Sequence, residues 1–196
     1  MNQGKIKFLP EFFLCLSVCL LIVPFKWLLC WLAAAVLHEL FHILALKICR
    51  FQVISASLGA MGAKIETDAE KGLKSMICAL AGPLAGVLLL LFIRKIPMIA
   101  LCGLFQSAAN LLPIYPLDGG RVLDNLLFLI FPAYIADKIL WITERMIWIF
   151  LLSIALYGFI KFRFGILPVF TVAMLFLRKK YLAKGAKKRY NIPIRN

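Results

Sequence analysis

The segment HELFH, residues 38–42, is the part of the sequence whose residue types and spacing could do chemistry. It contains both histidines of the chain, His38 and His42, with Glu39 directly after the first. Four residues of an α-helix advance slightly more than one turn, so the two imidazoles project from one face and can bind a single ion. Glu39 lies about 100° around the helix from His38, close enough to act on water at that ion without ligating it. This is the HExxH arrangement of zinc peptidases.

The segment lies within an apolar run, AAAVLHELFHILAL at residues 33–46. A charged side chain near the centre of a membrane helix costs about 2.5–3.5 kcal/mol on insertion scales, so membrane proteins carry one chiefly for function. The alternative is structural: the histidines would hydrogen-bond neighbouring helices, and Glu39 would make an ordinary polar contact. Because the segment around these residues is so apolar, the metal site is favoured over the structural alternative.

A catalytic zinc needs a third protein ligand and an open position for water. No further histidine exists, and the six cysteines are scattered without a CxxC pair. Most of the nine acidic residues lie in charged loops or beside a basic neighbour; Glu144, next to Arg145, is expected to make a local ion pair. Asp118 remains. Spacing alone leaves two interpretations of Asp118, a metal ligand or a helix N-cap or turn residue, and only the need for a third ligand favours the metal.

Asp118 belongs to NLLPIYPLDGG, residues 110–120, where prolines and glycines must break the helix. Irregular backbone at membrane depth occurs only where protein buries it or a polar cavity wets it. The break therefore predicts an interior site.

The elements that must position these residues are membrane helices. The chain has 196 residues, of which 63% are hydrophobic, and a mean hydropathy of +0.94, whereas soluble domains are about half apolar. A bilayer core about 30 Å thick needs roughly 20 apolar residues per helical span. The apolar runs predict an all-α polytopic membrane protein of about six spans, at residues 8–24, 27–46, 73–93, 97–113, 139–160 and 164–177.

Residues 53–66, VISASLGAMGAKIE, alternate in part between apolar and polar and contain two glycines. This pattern predicts a hairpin or bent strand pair, with a plain loop as the alternative. The expected organisation is a single membrane domain at residues 1–177 followed by a basic tail at residues 178–196.

The net charge of +14 comes largely from the basic residues of that tail. With six spans both termini lie on one side, and eighteen of the 23 lysines and arginines then fall on the cytoplasmic side if the termini are cytoplasmic. A basic segment next to a span is typical of contact with anionic lipid, so the bilayer and not nucleic acid is the expected partner.

Three motifs together resemble the site-2 protease family of intramembrane zinc metalloproteases, and most nearly the stage IV sporulation protein FB group. They are HELFH in an early span, AGPLAG at residues 81–86 in the next, and NLLPIYPLDGG at residues 110–120. The motifs follow the family's order, and the rest of the chain matches mainly in its pattern of spans.

The resemblance implies a zinc site, a catalytic acid/base and a substrate-positioning residue, and a membrane-embedded β-hairpin at residues 53–66. The resemblance implies that His38, His42 and Asp118 bind Zn²⁺, that Glu39 is the catalytic acid/base, and that Asn110 helps to position the substrate.

Two departures from the family pattern affect what can be expected. The family often has asparagine where Gly86 stands, so any hydrogen bond made there is missing or supplied elsewhere. The sporulation group typically carries a nucleotide-sensing CBS domain, and neither that domain nor a PDZ insert is recognisable here, so regulation through them is not expected.

The expected function is cleavage of a membrane-associated protein within or near the bilayer, releasing a regulator such as a transcription or sigma factor. The expected location is a bacterial cell membrane, with regulatory membrane subunits as further partners. Three alternatives stay open. A zinc or ion transporter would use intramembrane His and Asp without requiring Glu39, a scaffold would keep the fold without activity, and a prenyl-type endopeptidase would need a downstream glutamate motif, which was not found.

Overall fold

The computed structural model describes residues 6–8, 10–59, 62–68, 70–115 and 117–162. The predicted sixth span, residues 164–177, and the basic tail, residues 178–196, lie outside these ranges. The helices are α1 Pro10–Ile22, α2 Phe25–Ile48, α3 Leu73–Leu89, α4 Pro97–Asn110, α5 Asp118–Ile130 and α6 Ala133–Phe162, and the strands are β1 Ile6–Phe8, β2 Val53–Gly59 and β3 Gly62–Thr67. A 3₁₀ turn, Leu90–Phe92, continues α3.

Prolines mark the starts of several helices. Pro10 and Pro97 are the first residues of α1 and α4, where the missing backbone N–H costs nothing because the first turn has no partner for it. Pro24 caps α2, and the carbonyl of Pro132 accepts the first hydrogen bonds of α6. For this reason α6 begins well before residue 139, the predicted start of the fifth span.

Within the described residues, three helical segments are long and apolar enough to cross a bilayer: Phe25–Ile48, Leu73–Phe92 and Ala133–Gly158. Helices α1 and α4 lie where spans were predicted, but they have 13 and 14 residues, fewer than the roughly 20 that a full crossing needs. The molecule is thus mostly helical with apolar spans, and the number six stays a prediction.

Helix α3 is central, packing against α2, α4 and α5. Its contact with α4 is close because Gly86 faces Gly103, and a Cβ on Gly86 would stand 2.3 Å from the Gly103 carbonyl oxygen. The Ser107 hydroxyl of α4 donates to the Pro83 carbonyl of α3 at 2.9 Å, and the Gln106 amide donates to the Trp31 carbonyl of α2 at 3.0 Å. These buried hydrogen bonds link the three helices.

The strands form a sheet in the order β1-β2-β3. Strands β2 and β3 pair antiparallel over the segment where a hairpin or bent strand pair was predicted, from Val53 opposite Thr67 to Gly59 opposite Gly62. Strand β1, which no sequence pattern predicted, pairs parallel with β2, with Ile6 opposite Ala56. Both edges of β2 are therefore occupied. Within the described ranges, the free edge of the β2–β3 pair is the outer edge of β3.

The predicted helix break separates α4 from α5. We call residues 111–117 the break loop. Its backbone lies against the first turn of α5, because a Cβ on Gly119 would stand 2.0 Å from the Leu111 carbonyl oxygen and one on Gly120 would stand 2.6 Å from the Tyr115 nitrogen. Only glycine permits so close an approach of two backbones.

Candidate metal centre

Helix α2 presents the two histidines on one face, as the spacing predicted. Their Nε2 atoms lie 3.2 Å apart, and the rings meet edge to face with centroids 4.8 Å apart. The side chain of His38 is buried, with 6% of its residue surface exposed. Glu39, the next residue on α2, is half-buried. The two ring nitrogens therefore converge on one point at the protein interior.

Helix α5 brings Asp118 to the same point. Its Oδ2 atom lies 3.0 Å from Nε2 of His38 and 3.2 Å from Nε2 of His42, and only 7% of the residue surface is exposed. Asp118 is the first residue of α5, Leu117 is the N-cap, and no side chain caps the helix. The carboxylate thus faces the histidines instead of capping its own helix.

The three ligand atoms have the separation that a tetrahedral metal requires. Zinc bound about 2.0–2.1 Å from each ligand holds neighbouring ligands roughly 3.3 Å apart, and the observed distances are 3.0, 3.2 and 3.2 Å. One imidazole nitrogen carries either a proton or a lone pair, so hydrogen bonds cannot satisfy all three mutual contacts. The donor set fits zinc.

A backbone contact orients one of the histidines. Nδ1 of His42 lies 2.8 Å from the carbonyl oxygen of Cys78 on α3. Since a carbonyl only accepts, Nδ1 carries the proton and Nε2 is left with its lone pair for a metal. Nδ1 of His38 is buried without a hydrogen-bond partner among the described residues.

Gly82, within the AGPLAG segment of α3, leaves space open at the centre. A Cβ on Gly82 would stand 2.2 Å from Nε2 of His42 and 2.5 Å from Nε2 of His38. Those distances are close to a zinc–nitrogen bond length. A side chain here would occupy the space beside both ring nitrogens, so the centre requires glycine.

Asn110, the last residue of α4, lies at the edge of the centre. Its Nδ2 is 3.3 Å from Nε2 of His38, and the residue is half-buried. The amide is therefore next to the ligand atoms, at the point where α4 gives way to the break loop.

A second set of contacts holds α5 after its first turn. Lys71, which precedes α3, pairs with Asp124 at 2.8 Å, and the N–H of Gly72 donates to the Asn125 side chain at 2.8 Å. These contacts join the segment that leaves β3 to the helix that carries Asp118. Gly72 has φ +150°, a conformation that favours glycine.

Sequence reasoning missed one acidic residue near the centre. Glu144 was expected to make a local ion pair with Arg145. In the structure, Oε1 of Glu144 accepts a hydrogen bond from the backbone N–H of Tyr115 in the break loop at 2.9 Å. Arg145 lies over the ring of Trp141, 5.0 Å from its centroid. The signal that could have found Glu144 is an acidic residue within an otherwise apolar span.

Comparison with known proteins bears on the fold. No protein-family model and no curated protein matches the sequence. Among solved structures, the chain is similar to the site-2 protease from Methanocaldococcus jannaschii, with a TM-score of 0.64 and 20% sequence identity over 90% of this chain and 89% of that one.

The chain has the fold of a site-2 protease. In the part of the chain that the structure describes, one group of residues could hold a metal ion: His38, His42 and Asp118.

Proposed function

We propose that this chain is an intramembrane zinc metalloendopeptidase of the site-2 protease family. The observation that carries the proposal is the triangle of two imidazole nitrogens and one carboxylate oxygen, with sides of 3.0 to 3.2 Å, within a site-2 protease fold. The HExxH segment supports the same chemistry, because a glutamate follows the first histidine.

In this proposal His38, His42 and Asp118 hold the zinc ion. Zinc bound by three protein ligands supplies Lewis acidity and makes water nucleophilic near neutral pH. The Nδ1–H bond from His42 to the Cys78 carbonyl keeps that imidazole in the ligating tautomer.

Glu39 is the acid/base in this proposal. It accepts a proton from the water that adds to the peptide carbonyl. It then gives the proton to the amine as the carbon–nitrogen bond breaks. Asn110 is the proposed substrate-positioning residue, which would donate a hydrogen bond to the substrate; its amide lies 3.3 Å from Nε2 of His38.

The substrate must be extended at the cleavage site, because a helix hides its carbonyls in its own hydrogen bonds. Strand addition to an exposed sheet edge would hold such a segment. Strand β1 occupies one edge of β2, so the outer edge of β3 is the free edge of the pair that we propose for the substrate.

The proposed substrate is a membrane-associated protein, and release of a transcription or sigma factor would be the outcome of cleavage. We propose a bacterial cell membrane with both termini cytoplasmic, a membrane-embedded position for the β2–β3 pair, and a relationship to the stage IV sporulation protein FB group. The three motifs and the positive charge of the predicted cytoplasmic segments support these assignments.

The test compares purified wild-type protein with Glu39→Gln and Asp118→Ala. Zinc content is measured by elemental analysis, and cleavage is measured on tagged single-span membrane proteins in proteoliposomes. We expect wild type to bind one zinc and cleave, E39Q to bind zinc with no cleavage, and D118A to lose zinc. The control is Asp137→Asn, which removes an acidic group at an exposed position.

Two outcomes would refute the proposal. Cleavage by E39Q at the wild-type rate would remove Glu39 from its role. Zinc flux into the vesicles without any proteolysis would identify a transporter instead.

A further inference from the structure

Glu144 is a buried acid that the proposed chemistry does not use. It lies on α6, where apolar neighbours such as Met146 and Ile149 have about two thirds of their surface exposed, 67% and 66%. Glu144 itself is only 5% exposed. A carboxyl group buried at this depth requires hydrogen-bonding partners in the protein, because burial removes its water.

One partner of Glu144 is the break loop. Oε1 of Glu144 accepts the backbone N–H of Tyr115 at 2.9 Å. The other backbone N–H groups of the described loop residues donate to nearby carbonyls. Those of Leu111 and Leu112 donate to carbonyls of α4, and those of Ile114 and Leu117 donate to carbonyls within the loop. Pro113 has no backbone N–H. Among the described loop residues, Tyr115 is therefore the one whose backbone N–H donates a hydrogen bond to a separate helix.

The loop in turn lies on the first turn of α5. The Tyr115 nitrogen is so close to Gly120 that a Cβ there would stand 2.6 Å away, and Gly119 is similarly close to the Leu111 carbonyl. Asp118 directly precedes these two glycines. The position of Tyr115 is therefore coupled by close packing to the turn that carries Asp118.

Glu144 acts at a distance from the ligand atoms. The group of residues able to hold one metal comprises His38, His42 and Asp118 and does not include Glu144. The hydrogen bond to Tyr115 gives Glu144 a route to the metal centre through the break loop.

We propose that Glu144 is a positioning residue for Asp118: it holds Tyr115 from α6 and through the break loop sets the first turn of α5. The inference rests on the proposed zinc function. It requires a hydrogen-bond acceptor at position 144, and it does not require a charge.

The experiment measures zinc affinity of the full chain in detergent by competition with a chelator. Glu144→Gln keeps an acceptor oxygen, whereas Glu144→Met keeps the size of the side chain and leaves only a weakly accepting sulfur. We expect E144Q to bind zinc like wild type and E144M to bind about 10–100 times more weakly, as for other partners that orient metal ligands. Asp137→Met, at an exposed position of the same helix, should bind like wild type.

Two further measurements separate positioning from general loss of structure. Helical content by circular dichroism should be equal in all variants. The visible absorption bands of the Co²⁺-loaded protein should shift in E144M and not in E144Q, because they report ligand geometry. If E144M does not fold, Glu144→Asp replaces it: the shorter side chain withdraws the acceptor while keeping the acid, and weaker zinc binding than in E144Q is expected.

Wild-type zinc affinity in E144M, or in E144D where that variant replaces it, would overturn the inference. Equal weakening in E144Q and E144M would also overturn it, because the charge and not the acceptor would then matter. Failure of wild type itself to bind zinc would overturn the proposed function, so the two failures are distinguishable.

Discussion

At the residue scale, the histidine pair follows from local geometry alone. His38 and His42 share a face of α2 because their spacing of four residues is slightly more than one helical turn. Asp118 is different. Spacing left it open between ligand and N-cap, and the structure brings its Oδ2 within 3.2 Å of both ring nitrogens.

Gly82 carries a prediction at this scale. In Gly82→Ala the new Cβ would stand 2.2 and 2.5 Å from the two Nε2 atoms, in the space that a zinc ion needs. We expect zinc affinity to fall by more than about 100-fold, beyond the effect of removing an outer partner. Chelator competition on the purified protein measures it. Leu84→Ala, at an exposed position of the same helix, is the control and should keep zinc; normal zinc binding in G82A would contradict the geometry.

At the element scale, the packing of α3 on α4 depends on Gly86. The family's frequent asparagine does not fit here, since even a Cβ would stand 2.0 Å from the Ser107 hydroxyl and 2.3 Å from the Gly103 carbonyl oxygen. The hydrogen bond from Ser107 to the Pro83 carbonyl links the two helices at this level instead.

Gly86→Ala should therefore destabilise the protein by about 1–3 kcal/mol through overpacking. Thermal or denaturant unfolding in detergent, followed by circular dichroism, measures the change. Leu84→Ala, at an exposed position of the same helix, should leave stability close to wild type. Unchanged stability in G86A would mean that the two helices can separate at no cost.

At the scale of the whole molecule, a zinc ion would join helices that are far apart in sequence. The ligands come from α2 and α5, and α3 orients His42 through the Cys78 carbonyl. Zinc that binds only the folded state should stabilise it by about 2.7 kcal/mol when free zinc is 100 times Kd. We expect the unfolding temperature to fall after treatment with a chelator and to recover when zinc is added.

The same treatment of Asp118→Ala is the control, because a site without its third ligand should gain little from zinc. An equal zinc-dependent rise in D118A and wild type would show that the ion acts elsewhere on the protein.

The sequence by itself determined the HExxH pair and the helix break at residues 110–120, and it predicted six apolar spans and, with a plain loop as the alternative, a strand pair at residues 53–66. Each depends on local composition or on a helical or strand repeat within a few residues. Only the tertiary structure decided that Asp118 faces two histidines that lie 76 and 80 residues earlier in the chain, that Gly82 leaves space for a metal, that Glu144 holds Tyr115, and that β1 covers one edge of β2. These contacts join segments distant in the chain, so they depend on how whole helices pack and cannot be obtained from spacing along the sequence.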